Sequence, residues 1–424
     1  MTSHIIKILL TAVMALIAIE PKAQTTDTRV RIFDPRVHTL QVAPQSNQYL
    51  PPVVTLSGDE AIRVSFDLID YDVHYLRYSV VHCNADWQPS QLVESEYASG
   101  FNYADITDYA QSSSTFTHYY NYSFTIPNDE LQLKVSGNYL LKVYDQQNPD
   151  DVLFQTRFSI CESTVGVAVD VTSRTDVDYN ASHQQVSFSV TSKPGTISDP
   201  YNELTAVVSQ NVRTDADAIV TRPLMVTGNE VQFDHARQLI FPAGNEYRRI
   251  ETVNVNSINM GVERMEYYEP YYHATLRVDE PRSEAPYTYD RTQYGHFTIR
   301  CSGSDYSDQE ADYVVTHFRL YTGQKLDGGS LYIDGAFTDG MPAESTRMRY
   351  DEATGCYIAD LLLKQGAYNY QYLWKPEGAA SGSTALIEGD KYQTVNQYVV
   401  KVYDRPLGER YDRLLGFGIA YSGK

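Results

Sequence analysis

An all-β chain of three consecutive β-sandwiches, immunoglobulin-like or early-set-like, is the fold class this sequence predicts. Apolar and polar residues alternate with a period of two in one short stretch after another, the mark of strands with one buried face. Turn clusters such as Ser192-Lys193-Pro194-Gly195 separate those stretches, and only short segments carry helical periodicity. Tyrosine numbers 36 against 14 phenylalanines and 2 tryptophans. That excess suits strands with one dry and one wet face, because the ring is apolar and the hydroxyl polar.

At the N-terminus, Lys7 precedes an apolar run from Ile8 to Ile19, and the small residue Ala23 sits before Gln24. This is the pattern of a secretory signal peptide, residues 1–23, cleaved at Ala23–Gln24. A run of about twelve residues is too short to cross ~30 Å of hydrocarbon, which takes a helix of ~20, and no later run reaches that length. The expected mature chain is soluble, with no cysteine placed to carry a lipid anchor. In a double-membraned bacterium its destination is the periplasm. The formal net charge is −20, and one unit more negative once Lys7, Lys22 and Glu20 leave with the leader. Phosphate binding needs a basic stripe, so nucleic acid is not an expected partner. An acidic surface keeps an exported protein soluble and repels anionic lipid.

The first domain is expected over 24–163. Ala61 to Leu68 alternates, with Ile62, Val64, Phe66 and Leu68 inward and Arg63, Ser65 and Asp67 outward. Leu76 to Val81, Tyr119 to Ile126, Asn138 to Tyr144 and Leu153 to Cys161 read as further strands, spaced as in a sandwich. Between them runs a long loop, Asp86 to Ser114, and long structured loops tend to be functional. A boundary at Glu162 to Val165 opens a second domain, 164–301, with strands at Val167 to Val171, Gln185 to Val190 and Leu204 to Gln210, ending around Thr298 to Cys301. After a polar, acidic linker, Ser302 to Ala311, the third domain spans 302–424. Its strands are Tyr313 to Leu320, Ser330 to Phe337, Gly355 to Leu363 and Gln397 to Tyr403.

Four cysteines permit disulfides in an exported chain. Of the three connectivities, Cys83–Cys161 with Cys301–Cys356 stays largely within domains; buried free thiols are the other reading. No Cys-x-x-Cys supports zinc or redox chemistry. His82, Cys83 and Asp86 suggest a nucleophile with a base, but neighbours on a strand point to opposite faces, whereas such groups must converge. Cys83 is therefore expected in the core, His82 outside it or satisfied by backbone, and Trp87 over the core as a cap. Gly-x-Ser-x-Gly, His-Glu-x-x-His and phosphate loops are absent from the sequence. Asp145, Asp150 and Asp151 lack the spacing of a calcium loop and read as a solvated turn. The expectation is a protein that is not an enzyme, with no catalytic residue, cofactor or metal.

The order Leu331-Tyr332-Ile333-Asp334-Gly335-Ala336-Phe337, Gly355-Cys356-Tyr357, then Lys364 to Tyr372, resembles the early-set sandwiches appended to glycogen- and starch-active enzymes. That resemblance implies sugar binding on flat aromatics after the Gly-x-Phe turn, where this chain has Thr338-Asp339-Gly340. A periplasmic or surface glycan-binding protein is thus the alternative reading, although fold does not carry function with it.

A wider set of segments runs through the whole mature chain. They are Pro51-Pro52 before Leu56-Ser57-Gly58, Ser65-Phe66-Asp67, His82 to Trp87, Gly100-Phe101, Tyr119 to Pro127, Ser136-Gly137-Asn138-Tyr139, Phe241 to Arg248, Tyr289-Asp290-Arg291, Ala311-Asp312-Tyr313, Gly389 to Asn396 and Arg410 to Gly416. This set resembles the plug protein family of the type IX secretion system of Bacteroidota, once known only as a domain of unknown function. Within it His82, Cys83, Asp86, Trp87, Gly100, Phe101, Gly137, Asn138 and Tyr139 form a signature whose role is expected to be mainly structural. The resemblance implies a non-catalytic periplasmic protein at the inner face of the outer membrane. Its partner would be the giant β-barrel translocon, whose periplasmic opening it would occlude. The expected shape is a rigid, acidic rod, with the loop Asp86 to Ser114 and the segment Tyr267 to Tyr272 as candidate contact surfaces.

Overall fold

The computed structural model describes residues 27–338 and 340–423, so the expected leader and its Ala23–Gln24 cleavage point lie outside the described residues. Nearly all of its regular secondary structure is strand. Ile62–Leu68 lies between Val37–Pro44 and Tyr120–Ile126, with Asp108–Gln111 at the edge of this first sheet. The facing sheet is ordered Arg31–Ile32, Asn148–Cys161, Gly137–Asp145, Leu76–Cys83, Ala104–Asp105, and Val53–Thr55 adds parallel to Asn148–Cys161. Ile62, Val64, Phe66 and Leu68 all point into the core between the sheets and are fully buried. Phe66 stacks on Tyr122 at 5.3 Å and meets Phe154 edge-on at 4.8 Å. Burial of one such side chain stabilises by ~1.5–3 kcal/mol.

The opposite face of Ile62–Leu68 differs from expectation. Ser65 and Asp67 are buried too. A second packed surface covers this face, because another sandwich docks there.

Strand pairing also corrects the serial order of domains. Gln397–Asp404, expected in the third domain, pairs along its length with Leu204–Gln210 of the second, from Leu204↔Asp404 to Gln210↔Tyr398. Together with Ala218–Val220 and Arg413–Tyr421 they make one sheet of a middle sandwich. The facing sheet holds Val165–Thr172, His183–Ser192, Glu230–Phe233 and Met225–Thr227, with Ile240–Pro242 also on His183–Ser192. The returning strand supplies Tyr398, Val400 and Val402 to the core of Val186, Phe188 and Val190. An open edge on Leu204–Gln210 would leave backbone donors and acceptors unpaired, and the C-terminal strand satisfies them.

Residues between the two halves of the middle sandwich fold as a third, inserted one. Its sheets are Arg248–Glu251, Gly366–Pro376 and Phe297–Ile299, with Gly329–Asp334 also on Gly366–Pro376, and Val262–Tyr268, Tyr271–Leu276, Tyr313–Tyr321, Cys356–Lys364 and Arg349–Asp351. The boundary expected near 301 therefore falls inside one sandwich. Ser302 to Ala311 is not a linker between domains: Phe297–Ile299 and Tyr313–Tyr321 on either side share the inserted core, and its helical turn Ser307–Glu310 packs on the first sandwich, where Ser113 N–H donates to Gln309 O at 3.0 Å. Nor do the sandwiches form a rod, since the first contacts both of the others.

Candidate functional site

Three joints hold the sandwiches together, and part of the sequence signature lies at one of them. After the strand Leu76–Cys83 the chain turns back through Trp87 N–H on Asn84 O (2.9 Å) and Asn84 N–H on Gln88 O (2.8 Å). This turn meets the segment Arg410 to Gly416. The Asp412 carboxylate accepts from Ala85 N–H (2.8 Å) and Arg405 Nε (2.7 Å), and Arg410 pairs with Glu96. Glu162 and Thr164 N–H groups donate to Leu414 O and Leu415 O, both at 2.9 Å. Buried Asn138 ties three segments: its Oδ1 accepts from Ser159 Oγ (2.7 Å) and Tyr403 OH (2.8 Å), and its Nδ2 donates to Asn84 O (2.9 Å).

His82 is buried beside this joint, with Nδ1 2.8 Å from Ser90 Oγ and Nε2 3.0 Å from Ser136 O. Burial lowers its pKa, more than the Ser136 bond and Asp412 raise it, so the ring is neutral at pH 7. Tyr139 is core, stacked on Phe158 at 5.4 Å with its hydroxyl on Val135 O. Gly137 has φ of +135°, and a Cβ there would meet His82 Nε2 at 2.4 Å. Asp86 is exposed and closes the turn by accepting from Gln88 N–H at 3.0 Å. Gly100 turns with φ of +81°, presenting Phe101, which is 75% exposed and stacks on Tyr103 at 5.6 Å. Trp87 departs from expectation. It does not cap the core: its left-handed backbone, φ +66°, turns the indole toward the joint, where Arg157 lies 4.4 Å and Lys401 5.6 Å from the ring centroid.

All four cysteines are buried free thiols, so the pairings Cys83–Cys161 and Cys301–Cys356 are corrected. Register gives the reason. Asn138 stands opposite Cys83 on one side and Ser159 on the other, so Cys161 is two strands away, roughly 10 Å at ~4.8 Å per strand, beyond the ~7 Å Cα limit of a disulfide. Cys356 begins the strand Cys356–Lys364, whereas Arg300, next to Cys301, bonds to Gln365 just past its far end. Burial pushes the Cys83 thiol up to about 11, leaving it an unreactive neighbour of His82 rather than its nucleophile. Alkylation under denaturing, non-reducing conditions is expected to label all four thiols, and labelling in the native state to be slow at each.

The joint between the first and inserted sandwiches is built on a buried ion pair. Lys364 Nζ lies 2.6 Å from Asp67 Oδ2, with side chains 1% and 0% exposed. The same carboxylate accepts from Tyr313 OH (2.7 Å) and Asn121 Nδ2 (2.8 Å). Asp312 crosses the joint in the other direction, accepting from the N–H groups of Phe116 (2.7 Å) and Thr117 (3.1 Å). Burial, with Asp67 beside them, pushes the Tyr119 and Tyr313 hydroxyls well up, so they remain donors.

Between the middle and inserted sandwiches the chain crosses twice, through Phe241 to Arg248 and Gly389 to Asn396. The two crossings clasp each other. Lys391 N–H donates to Gly244 O (2.7 Å), Gly244 N–H to Asp390 Oδ1 (2.9 Å) and Asn396 Nδ2 to Ala243 O (2.8 Å). Beside them the fully buried carboxylate of Glu388 takes Arg282 Nε (2.5 Å) and Arg248 Nε (3.1 Å). Burial raises its pKa, but the two arginines outweigh burial and hold it below the ordinary value. Unfolded, this carboxyl titrates near ~4.3, so its stabilisation is present above that pH and is lost as pH falls through the lower folded value. Urea unfolding is expected to show stability falling below about pH 4.3, with a shallower fall in Glu388→Gln.

Sequence reasoning missed Asp67 as a joint residue, together with Lys364, Arg248 and Glu388. Asp67 sits at a position of the alternation that ordinarily faces water, and Lys364 ends an apolar strand as lysines often do. Neither carries a local signal. Of the two candidate surfaces, the segment Tyr267 to Tyr272 packs on Phe116, which lies beyond the end of the loop Asp86 to Ser114, with Tyr267 at 4.8 Å and Tyr272 at 5.6 Å. In the inserted sandwich Phe337 packs on buried Tyr368 and Phe297 instead of presenting a flat face to solvent. Among the described residues no group of three or more His, Cys, Asp or Glu is placed to hold a metal ion, and no helix is long and apolar enough to cross a membrane.

Residues 37–162, the first sandwich, match the family described as Type 9 secretion system plug protein 1st domain. Among solved structures, the chain is similar to a hypothetical protein from Parabacteroides merdae ATCC 43184, determined at 2.30 Å. The two are 41% identical with a TM-score of 0.91, over 93% of this chain and 99% of that one. The alkylpurine DNA glycosylase AlkC of Pseudomonas fluorescens, bound to DNA containing an abasic site analog, is 12% identical over 30% of each chain, with a TM-score of 0.19 that carries no argument. No curated protein matches.

Proposed function

Because this chain belongs to the type 9 secretion system plug protein family, we propose that it is a non-catalytic periplasmic plug that occludes the periplasmic opening of the outer-membrane translocon. The observation that carries this reading is the use made of the signature: it builds joints, not a reaction centre. Asn138 bonds Tyr403 and His82 packs edge-on against Tyr411, joining the first sandwich to the middle one, Gly244 and Asn396 join the middle to the inserted one, and Asp67 with Lys364 closes the triangle. A stopper must hold its shape against a wide pore, and three sandwiches clasped pairwise do so better than a flexible chain of domains. The contact surface we assign to the aromatic patch of Phe116, Tyr267 and Tyr268, with the exposed Phe101–Tyr103 pair as a second element. Exposed aromatics with acidic surroundings fit a protein interface, where tyrosine and phenylalanine are enriched.

Affinity purification of the tagged protein, in detergent that preserves the barrel, is expected to recover the giant translocon. Tyr267→Glu with Tyr268→Glu and Phe101→Glu is expected to abolish that recovery while leaving the fold intact. No barrel in the wild-type eluate would overturn the reading, and full recovery with the variant would dismiss the surface.

A further inference from the structure

Where the three sandwiches meet they enclose a cavity of about 260 Å³, lined by Leu40 and Val42 of the first, Val207 and Val399 of the middle and Phe297 of the inserted one. Its wall also carries Trp87, Arg157, Lys401 and Asp217. The Arg157 guanidinium and the Lys401 ammonium both approach the Trp87 ring, at 4.4 and 5.6 Å from its centroid, so the two cations flank one residue.

Neither cation forms an ion pair among the described residues. Arg157 Nε donates to Thr28 O (2.7 Å) and Lys401 Nζ to Ser159 Oγ (3.1 Å). The carboxylate beside them, Asp217, has one buried oxygen, Oδ1, without a hydrogen-bond partner. Two cations thus face one anion. The other joints differ, for there Lys364 is matched by Asp67, and Arg248 and Arg282 by Glu388 and Asp279. An unmatched charge taken out of water is costly, and folded proteins ordinarily pair it. Burial correspondingly lowers Lys401 to about 8 and Arg157 to about 10. His296, on the same wall, is lowered by burial to about 4 and adds no charge at neutral pH.

We propose that this cavity binds a small amphipathic carboxylate, its head group between Arg157 and Lys401 and its apolar body against Leu40, Val42 and Val399. An arginine fork receives a carboxylate in bidentate fashion, and the ligand supplies the counter-charge the joint lacks. Because all three sandwiches line the site, occupancy stabilises their arrangement by mass action. The proposal stands on the cavity alone, whether or not the plug reading holds.

The test is calorimetric titration and thermal unfolding of the full chain with octanoate, octanol and octylammonium. Octanoate is expected to bind one-to-one and raise Tm, with the neutral and cationic analogues weaker by about tenfold or more, as expected from losing a charge-assisted hydrogen bond of ~1.5–3 kcal/mol. Lys401→Met should weaken octanoate by a similar factor. An acetylated apolar dipeptide acid, run in parallel, separates the two sources of such a ligand: tighter binding than octanoate assigns the site to a peptide C-terminus, weaker binding to a fatty acid. Absence of octanoate binding to the wild-type chain, equal binding of octylammonium, or unchanged affinity in a folded Lys401→Met would overturn the proposal.

Discussion

Lys364→Met is expected to destabilise the protein by about 3–5 kcal/mol, the range for removing one partner of a buried ion pair. Asp67 would lose its cation in a fully buried site, with only Tyr313 OH and Asn121 Nδ2 left on the carboxylate. Methionine fills much of the lysine's volume, so the loss reports charge rather than a cavity. The second variant, Asp67→Asn with Lys364→Met, should be less damaging than the sum of the two single changes, because the orphaned charge is gone. Urea unfolding measures both. Limited proteolysis adds the structural readout: cleavage in Ser302 to Ala311, which packs on the first sandwich, should accelerate in the single variant. A cost below about 1 kcal/mol, typical of surface pairs, would show that the joint does not depend on this contact.

Gly137→Ala is expected to cost about 3 kcal/mol or more, from two sources acting together. At φ of +135° an L side chain is strained, at roughly 1–3 kcal/mol, and the new Cβ would fall 2.4 Å from His82 Nε2. The ring cannot retreat freely, since both its nitrogens are hydrogen-bonded, to Ser90 and to Ser136 O. Asp412 O closes the other side at 3.2 Å. Combining Gly137→Ala with His82→Ala should recover the contact part of the loss and leave the backbone part. Thermal unfolding of the four proteins separates them; an unperturbed Gly137→Ala would mean that this backbone is not held as described.

Much of the fold was legible because two-residue alternation survives wherever one face of a strand meets a core. Leu204–Gln210 and Gln397–Asp404 were each visible as strands. Their pairing with each other was not, because nothing local distinguishes a strand that returns across an inserted domain from one that pairs with its sequence neighbours. The same gap explains Asp67: alternation reports one buried face, and a second sandwich docking on the other leaves no periodic trace. The disulfide expectation failed for a related reason, since cysteine count carries no register. The family signature was equally silent on contact: His82 to Trp87 and Arg410 to Gly416 lie 328 residues apart between Asn84 and Asp412 and yet share a hydrogen bond.

Single-channel recording of the purified barrel in a planar bilayer shows directly whether this clasped three-sandwich body stoppers the translocon. Adding the protein to the periplasmic side is expected to close the large conductance, and the aromatic-patch variant to leave it open. A conductance that persists while the protein is demonstrably bound to the barrel would contradict the account.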